Sequence, residues 1–258
     1  MSILTHTMHA IIITALLQTS LCVTTALLHT SFCIATARRR TSYLPSVVQS
    51  FADQNIFRSD GVGLIIVDVD NSTGGSGTDN STSSSGTAAI PLPNRVRAVC
   101  DTPDIEGIPS CHTRQLSLDI IGALTLCSKH TSGWVVLAED DCTICEGGVD
   151  EIVTALSTLN SHTISLAKFA GGLHGVAFPS SKVPLFTQYV RDRLYTHPHD
   201  ITRIEDWDPA GGVLYTHPRN LFHHIGTVST EERKNTDEFR EKYRDLREDF
   251  CWQSLGQP

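Results

Sequence analysis

Three observations predict an α/β fold with a mostly parallel sheet and flanking helices. Residues 61–70 (GVGLIIVDVD) and 133–141 (GWVVLAEDD) are aliphatic runs without the alternation of a half-exposed strand, as expected of strands covered on both faces. A stretch with apolar residues at helical spacing separates them, giving the strand–helix–strand order of a parallel sheet. Both runs end in carboxylates, Asp68 and Asp70 in one and Glu139-Asp140-Asp141 in the other. A parallel strand delivers whatever follows it to the ligand-facing edge of the sheet.

The elements follow in order. Residues 31–36 (SFCIAT) form a short β-rich run that leads into Arg38-Arg39-Arg40, and residues 40–54 carry apolar positions at helical spacing. The strand at 61–70 comes next, then a Gly/Ser/Thr/Asn tract at 71–89 that has no means of packing and reads as a flexible loop. Residues 112–127 place Leu116, Ile120, Leu124 and Cys127 on one helical face and run into the strand with the acidic tip. Residues 147–161 read as a further helix. A glycine-rich loop at 171–175 leads to a short strand at 175–178 and a helix opened by Lys182-Val183-Pro184, where proline suits the first turn. Phe239, Tyr243, Leu246 and Phe250 mark an amphipathic helix in a charged C-terminal segment, 231–258.

At 258 residues, 40% apolar and 19% charged, the chain can bury one substantial core, so a single domain over 31–230 with appendages is expected. A net charge of −8 excludes a nucleic-acid partner, because no basic stripe is present to displace counterions. The N-terminal hydrophobic segment, 1–30, contains an uncharged stretch at 10–28 about as long as a hydrocarbon core is thick. It is diluted by Thr, Ser and Gln and has no basic residue before it, which leaves a signal-anchor, a cleaved signal and a buried helix open. Membrane contact is expected only through that segment.

Asn71-Ser72-Thr73 and Asn80-Ser81-Thr82 are N-glycosylation acceptors and fit a lumenal setting. Cys100 and Cys111 bracket a Pro/Gly/Asp loop and would close a small ring if oxidised. Cys142 and Cys145 form a C-x-x-C without a second pair at zinc spacing, and read as packing or a local disulfide.

The acidic tip carries the chemistry. Three adjacent carboxylates repel one another unless a cation lies among them, and hard cations such as Mg2+ and Mn2+ take oxygen ligands shared with substrate phosphates. The competing reading is a solvated turn at a strand end.

Five segments in order resemble the GT-A glycosyltransferases, specifically the related families of N-acetylglucosaminyltransferase IV and the GPI-anchor-modifying GalNAc transferase. FCIATARRRTSYLPSVVQSF resembles their first nucleotide-sugar strand, basic loop and S-Y-L helix. RQLSLDIIGAL is similar to their Q-x-L-D-Y helix, and VVLAEDDC to their L-E-D-D strand. GLHGVAFPSSKVP resembles G-x-V-F-P-x-S-x-V-P, and LFHHIGTVST resembles L-x-Q-H-[IV]-G-x-x-S-S. Ile120 stands where the family has Tyr, His223 where it has Gln, and Ala138 where a bulkier residue precedes the acidic motif. Residues 146–171 hold no hydrophobic pair like the transmembrane hairpin of the GPI-modifying relatives.

The resemblance implies a GT-A-type, Rossmann-like catalytic domain that transfers GlcNAc or GalNAc, with inversion, from a UDP-sugar to a glycan acceptor, an N-glycan or a GPI glycan. It implies a Mn2+ or Mg2+ cofactor and a Golgi or ER-lumen setting. Asp141 and His224 would hold the metal; Glu139, Asp140, Thr36, Arg38, Arg39, Arg114 and Asp119 would border the nucleotide-sugar. A carboxylate after Pro198-His199-Asp200, Glu205 or Asp206, would take the acceptor proton. Two alternatives stay open: a relative that binds glycans or partners without transfer, and an unrelated phosphate- or metal-binding α/β enzyme. The sequence has no G-x-S-x-G motif or P-loop to favour the latter.

Overall fold

The computed structural model describes residues 28–36, 42–56, 60–69, 90–92, 95–98, 110–170, 174–195, 207, 212–226 and 251. The hydrophobic segment before Leu28, the tract at 71–89 and the predicted C-terminal helix apart from Cys251 lie outside them. Among the described residues no helix is long and apolar enough to cross a membrane.

Within this set the chain folds as an α/β domain around a seven-stranded sheet. The strands are β1 (Leu28–Thr36), β2 (Val62–Asp68), β3 (Ile90–Pro91), β4 (Thr131–Glu139), β6 (Ile164–Lys168), β7 (Val176–Pro179) and β8 (Val213–Thr216), ordered β3-β2-β1-β4-β7-β6-β8. The pairs β3/β2, β2/β1, β1/β4 and β6/β8 are parallel, and only β7 runs against its neighbours β4 and β6. A two-stranded ribbon, β5 (Cys142–Ile144) with β9 (Phe222–His224), continues from the acidic end of β4. The mostly parallel architecture is the one expected from sequence.

Helices cover both faces, which explains why the strands read as continuous aliphatic runs. Side chains alternate between two cores. Cys33, Ile65, Val67, Val135 and Leu137 face α2 (Cys111–Lys129) and α4 (Val183–Arg193). Phe32, Ile34, Ile66, Val136 and Ala138 face α1 (Leu44–Ala52) and α3 (Gly148–Thr158). Fully burying one such side chain contributes roughly 1.5–3 kcal/mol, so these paired cores dominate the stability.

Local chemistry sets the helix starts. Ser110 caps α2 by accepting the Thr113 amide at 3.2 Å. A proline occupies the first turn of both α1 and α4, where no amide is needed. Between β7 and α4 a short 3-10 turn, Ser180–Lys182, lets the Lys182 ammonium donate to the His162 and Ile164 carbonyls at 3.0 and 2.8 Å. Phe178 of β7 packs on Phe186 of α4 with ring centres 4.6 Å apart, and Trp207 closes edge-on against Phe186.

Several expectations change. Leu116, assigned to the buried face of the 112–127 helix, is 38% exposed; the buried arc is centred on Leu118, Ile121 and Leu124 instead. Cys127 is bonded to Cys33, tying α2 to β1. The C-x-x-C does not close on itself: Cys145 pairs with Cys251 and Cys142 is in no disulfide. Cys111 is disulfide-bonded, while its expected partner Cys100 lies outside the described residues.

Candidate functional site

Because β1, β2 and β4 are parallel, Thr36, Asp68 and Glu139 finish on one edge, with Thr36 opposite Asp68 and Ala35 opposite Glu139. The turn after β4 places Asp140 beside β1, where the Thr36 hydroxyl donates to Asp140 Oδ2 at 2.9 Å. Asp140 and Asp141 are only 4% and 6% exposed. A solvated turn is thereby ruled out, since carboxylates are rarely this buried unless paired, hydrogen-bonded or bound to a cation.

The chain then reverses into β5, and pairing with β9 sets Cys142 directly opposite His224. Just beyond the ribbon the Ile225 amide donates to the Asp141 carbonyl at 2.8 Å. His224 Nε2 comes within 3.4 Å of Asp141 Oδ2. The Cys142 thiol donates to Asp141 Oδ1 at 3.7 Å and points to Glu139 Oε2 at 4.0 Å. His174, from the turn before β7, puts Nδ1 4.0 Å from Glu139 Oε2, and its ring centre lies 6.1 Å from that of His224.

Two glycines make this packing possible. A Cβ on Gly226 would collide with the Asp141 carboxylate, whose Cγ would be 2.9 Å away. Gly175 sits at φ +72°, and a side chain there would run into the Phe222 ring at 2.6 Å. The His-Ile-Gly segment can therefore lie against the acidic turn only because its third residue has no side chain.

One ligand atom each from Glu139, Asp141, Cys142 and His224 falls within 4.8 Å of the others, a spacing able to hold one metal ion. The two carboxylates and the imidazole suit the divalent cation implied by the resemblance, and the thiol adds a softer donor. Asp141 and His224 thus lie together at a metal-capable cluster, with Glu139 beside them and Asp140 on its Thr36 side.

The other predicted residues are placed differently. Asp119 receives the Arg95 guanidinium in a two-pronged pair, Nε to Oδ1 at 2.8 Å and Nη2 to Oδ2 at 2.6 Å, and Gln115 Nε2 donates to Oδ1 at 2.9 Å. Gln115 also accepts the Ala98 amide at 2.9 Å and donates to the Val96 carbonyl at 3.1 Å, so these two side chains pin residues 95–98 to α2. Arg114 is buried with its guanidinium over the Tyr195 ring at 5.2 Å. Arg38, Arg39, Glu205 and Asp206 lie outside the described residues.

Sequence reasoning missed Cys142 and His174. The signal for Cys142 was its place one residue after the acidic tip; for His174 it was a His-Gly step entering a strand. Neither signal gains meaning until β5–β9 pairing and the β4–β7 register are known.

No protein-family model and no curated protein matches the sequence. Among solved structures, the chain is similar to a protein from Desulfovibrio desulfuricans G20 provisionally assigned as a nucleotide-diphospho-sugar transferase. The two share 12% identity at a TM-score of 0.45, over 84% of this chain and 96% of the other. A likeness at this level leaves reaction, donor and acceptor to this chain's own residues.

Proposed function

We propose that this chain is a metal-dependent glycosyltransferase that moves GlcNAc or GalNAc from a UDP-sugar to a glycan acceptor, an N-glycan or a GPI glycan, with inversion. The observation that carries this reading is the approach of the half-buried His224 to the buried Asp141 at the carboxyl edge of the parallel strands. The E-D-D and H-I-G segments, distant in sequence and resembling motifs of the same family, meet at the end of the β5–β9 ribbon, where Cys142 lies opposite His224. A divalent cation bound there would supply positive charge to the departing diphosphate.

The chain's own residues divide the remaining work. Asp141 and His224 hold the cation, Glu139 adds negative charge beside them, and the Thr36 hydroxyl fixes the rotamer of Asp140 on the donor side. Glu205 or Asp206 takes the proton from the acceptor hydroxyl as it attacks the anomeric carbon. Arg38 and Arg39 offer guanidinium forks to phosphate oxygens. Disulfides Cys33–Cys127 and Cys145–Cys251 fit an oxidising compartment and so support a Golgi or ER-lumen setting.

Calorimetric titration of UDP into the purified chain, with and without Mn2+, tests the reading. Binding should require the metal and be lost in Asp141→Asn. Metal-independent UDP binding, or none with any divalent ion, would overturn it.

A further inference from the structure

The acidic motif alone supplies oxygen donors, which hard cations accept without distinction. The described structure adds a buried sulfur. Cys142 is held opposite His224 by β5–β9 pairing, is in no disulfide, and directs Sγ toward both Asp141 and Glu139. We infer that Cys142 is a metal ligand, and that Glu139, Asp141, Cys142 and His224 form a mixed O/O/S/N site selective for a borderline-soft divalent ion, Zn2+, over Mg2+.

The distances support this. Tetrahedral zinc, with bonds of about 2.3 Å to sulfur and about 2.0 Å to oxygen or nitrogen, sets neighbouring ligand atoms roughly 3.3–3.5 Å apart. Here Sγ lies 3.7 Å from Asp141 Oδ1, and His224 Nε2 lies 3.4 Å from Asp141 Oδ2. Glu139 Oε2 lies 4.0 Å from Sγ, within reach of a rotamer adjustment because Glu139 is partly exposed. One ligand atom from each of the four residues lies within 4.8 Å of the others, so a tetrahedral shell asks the donors to draw inward around a single Asp141 oxygen.

The donor set decides which ion gains most. Thiolate and imidazole add little for Mg2+ and a great deal for zinc. Four protein donors also fill a tetrahedral shell, the arrangement of closed zinc sites, whereas an ion that engages diphosphate needs open positions. Zinc bound by all four residues would thus oppose donor binding, and an ion held by Asp141 and His224 alone would permit it. The inference rests on the proposed function only for this competition with a nucleotide; the ligation stands on the cluster itself.

The test is spectroscopic. Co2+ titrated into the metal-free full chain should give a near-ultraviolet sulfur-to-cobalt charge-transfer band, which added Zn2+ should abolish. In Cys142→Ser the band should vanish, and Zn2+ affinity should fall by more than the ~10–100-fold that loss of an outer ligand partner costs. Thermal unfolding of the metal-free variant should match wild type, separating ligation from misfolding. Cobalt binding without the band, unchanged zinc affinity in Cys142→Ser, or no binding of either ion would overturn the assignment. A chain that shows the band but never binds UDP leaves the thiol ligation standing and sinks the glycosyltransferase reading. A chain that binds UDP with Mn2+ but shows no band does the reverse.

Discussion

At the scale of single residues, the acidic tip and Asp119 show how similar carboxylates acquire different work. Asp141 is buried against His224, whereas Asp119 is committed to Arg95 and Gln115 and to holding residues 95–98 on α2. Hydrogen bonds to a charged group contribute roughly 1.5–3 kcal/mol, so Asp119→Asn should lower the unfolding free energy by about that much in urea titrations. UDP affinity measured on the folded variant should be unchanged. A loss of affinity without a loss of stability would show that Asp119 also serves the donor, as its place in the L-D helix suggests. The acidic motif was legible because three consecutive carboxylates on an aliphatic run are conspicuous in any arrangement. Cys142 and His174 were not, since a lone thiol and a lone imidazole mean nothing before their neighbours are known.

At the scale of elements, legibility followed whether a segment carries its own signal. The strands β2 and β4 announce themselves by continuous aliphatic runs, β1 by a short β-rich run, and α3 by its apolar spacing, because each carries its burial in its local pattern. The strands β5, β6, β8 and β9 are five residues or fewer, and their extended form is set by partners far along the chain. β8 even exposes Val213 and Leu214 on the sheet edge, a pattern that signals no particular burial. The turn into β7 offers a test at this scale. Gly175→Ala forces a side chain onto a left-handed backbone and against Phe222, so it should destabilise the protein by about 1–3 kcal/mol or more. Chemical denaturation midpoints would show it, and an unaffected midpoint would mean the His174 turn can relax without disturbing β9.

For the molecule as a whole, two cross-links reach between distant parts of the described chain. Cys33–Cys127 fastens β1 to α2 across 94 residues, and Cys145–Cys251 joins the end of β5 to the C-terminal segment across 106. Loops of this size give disulfides large entropic leverage on the unfolded chain. Replacing Cys145 and Cys251 together with alanine should lower the unfolding free energy by about 2–5 kcal/mol, read as a shift in melting temperature under non-reducing conditions. Equal melting with and without the pair would show that the native geometry gives back what the cross-link removes. Fold class was legible at this scale from strand–helix alternation, whereas cysteine connectivity was not, because spacing alone cannot distinguish a neighbour at Cys142 from a partner at Cys251.

The Cys145–Cys251 bond also sets a timetable for biosynthesis. Cys33 meets its partner once α2 has emerged, but Cys145 must wait for another 106 residues, roughly 5–20 s at ordinary elongation rates. Throughout that interval it is a thiol three positions from the Cys142 thiol, in an oxidising surrounding if the chain enters the lumen. A premature bond between those two would strand Cys251 and take the Cys142 sulfur away from Asp141 and His224 in one event. Were that error to form, thiol–disulfide exchange, sped by an isomerase, is what would restore the Cys145–Cys251 pairing.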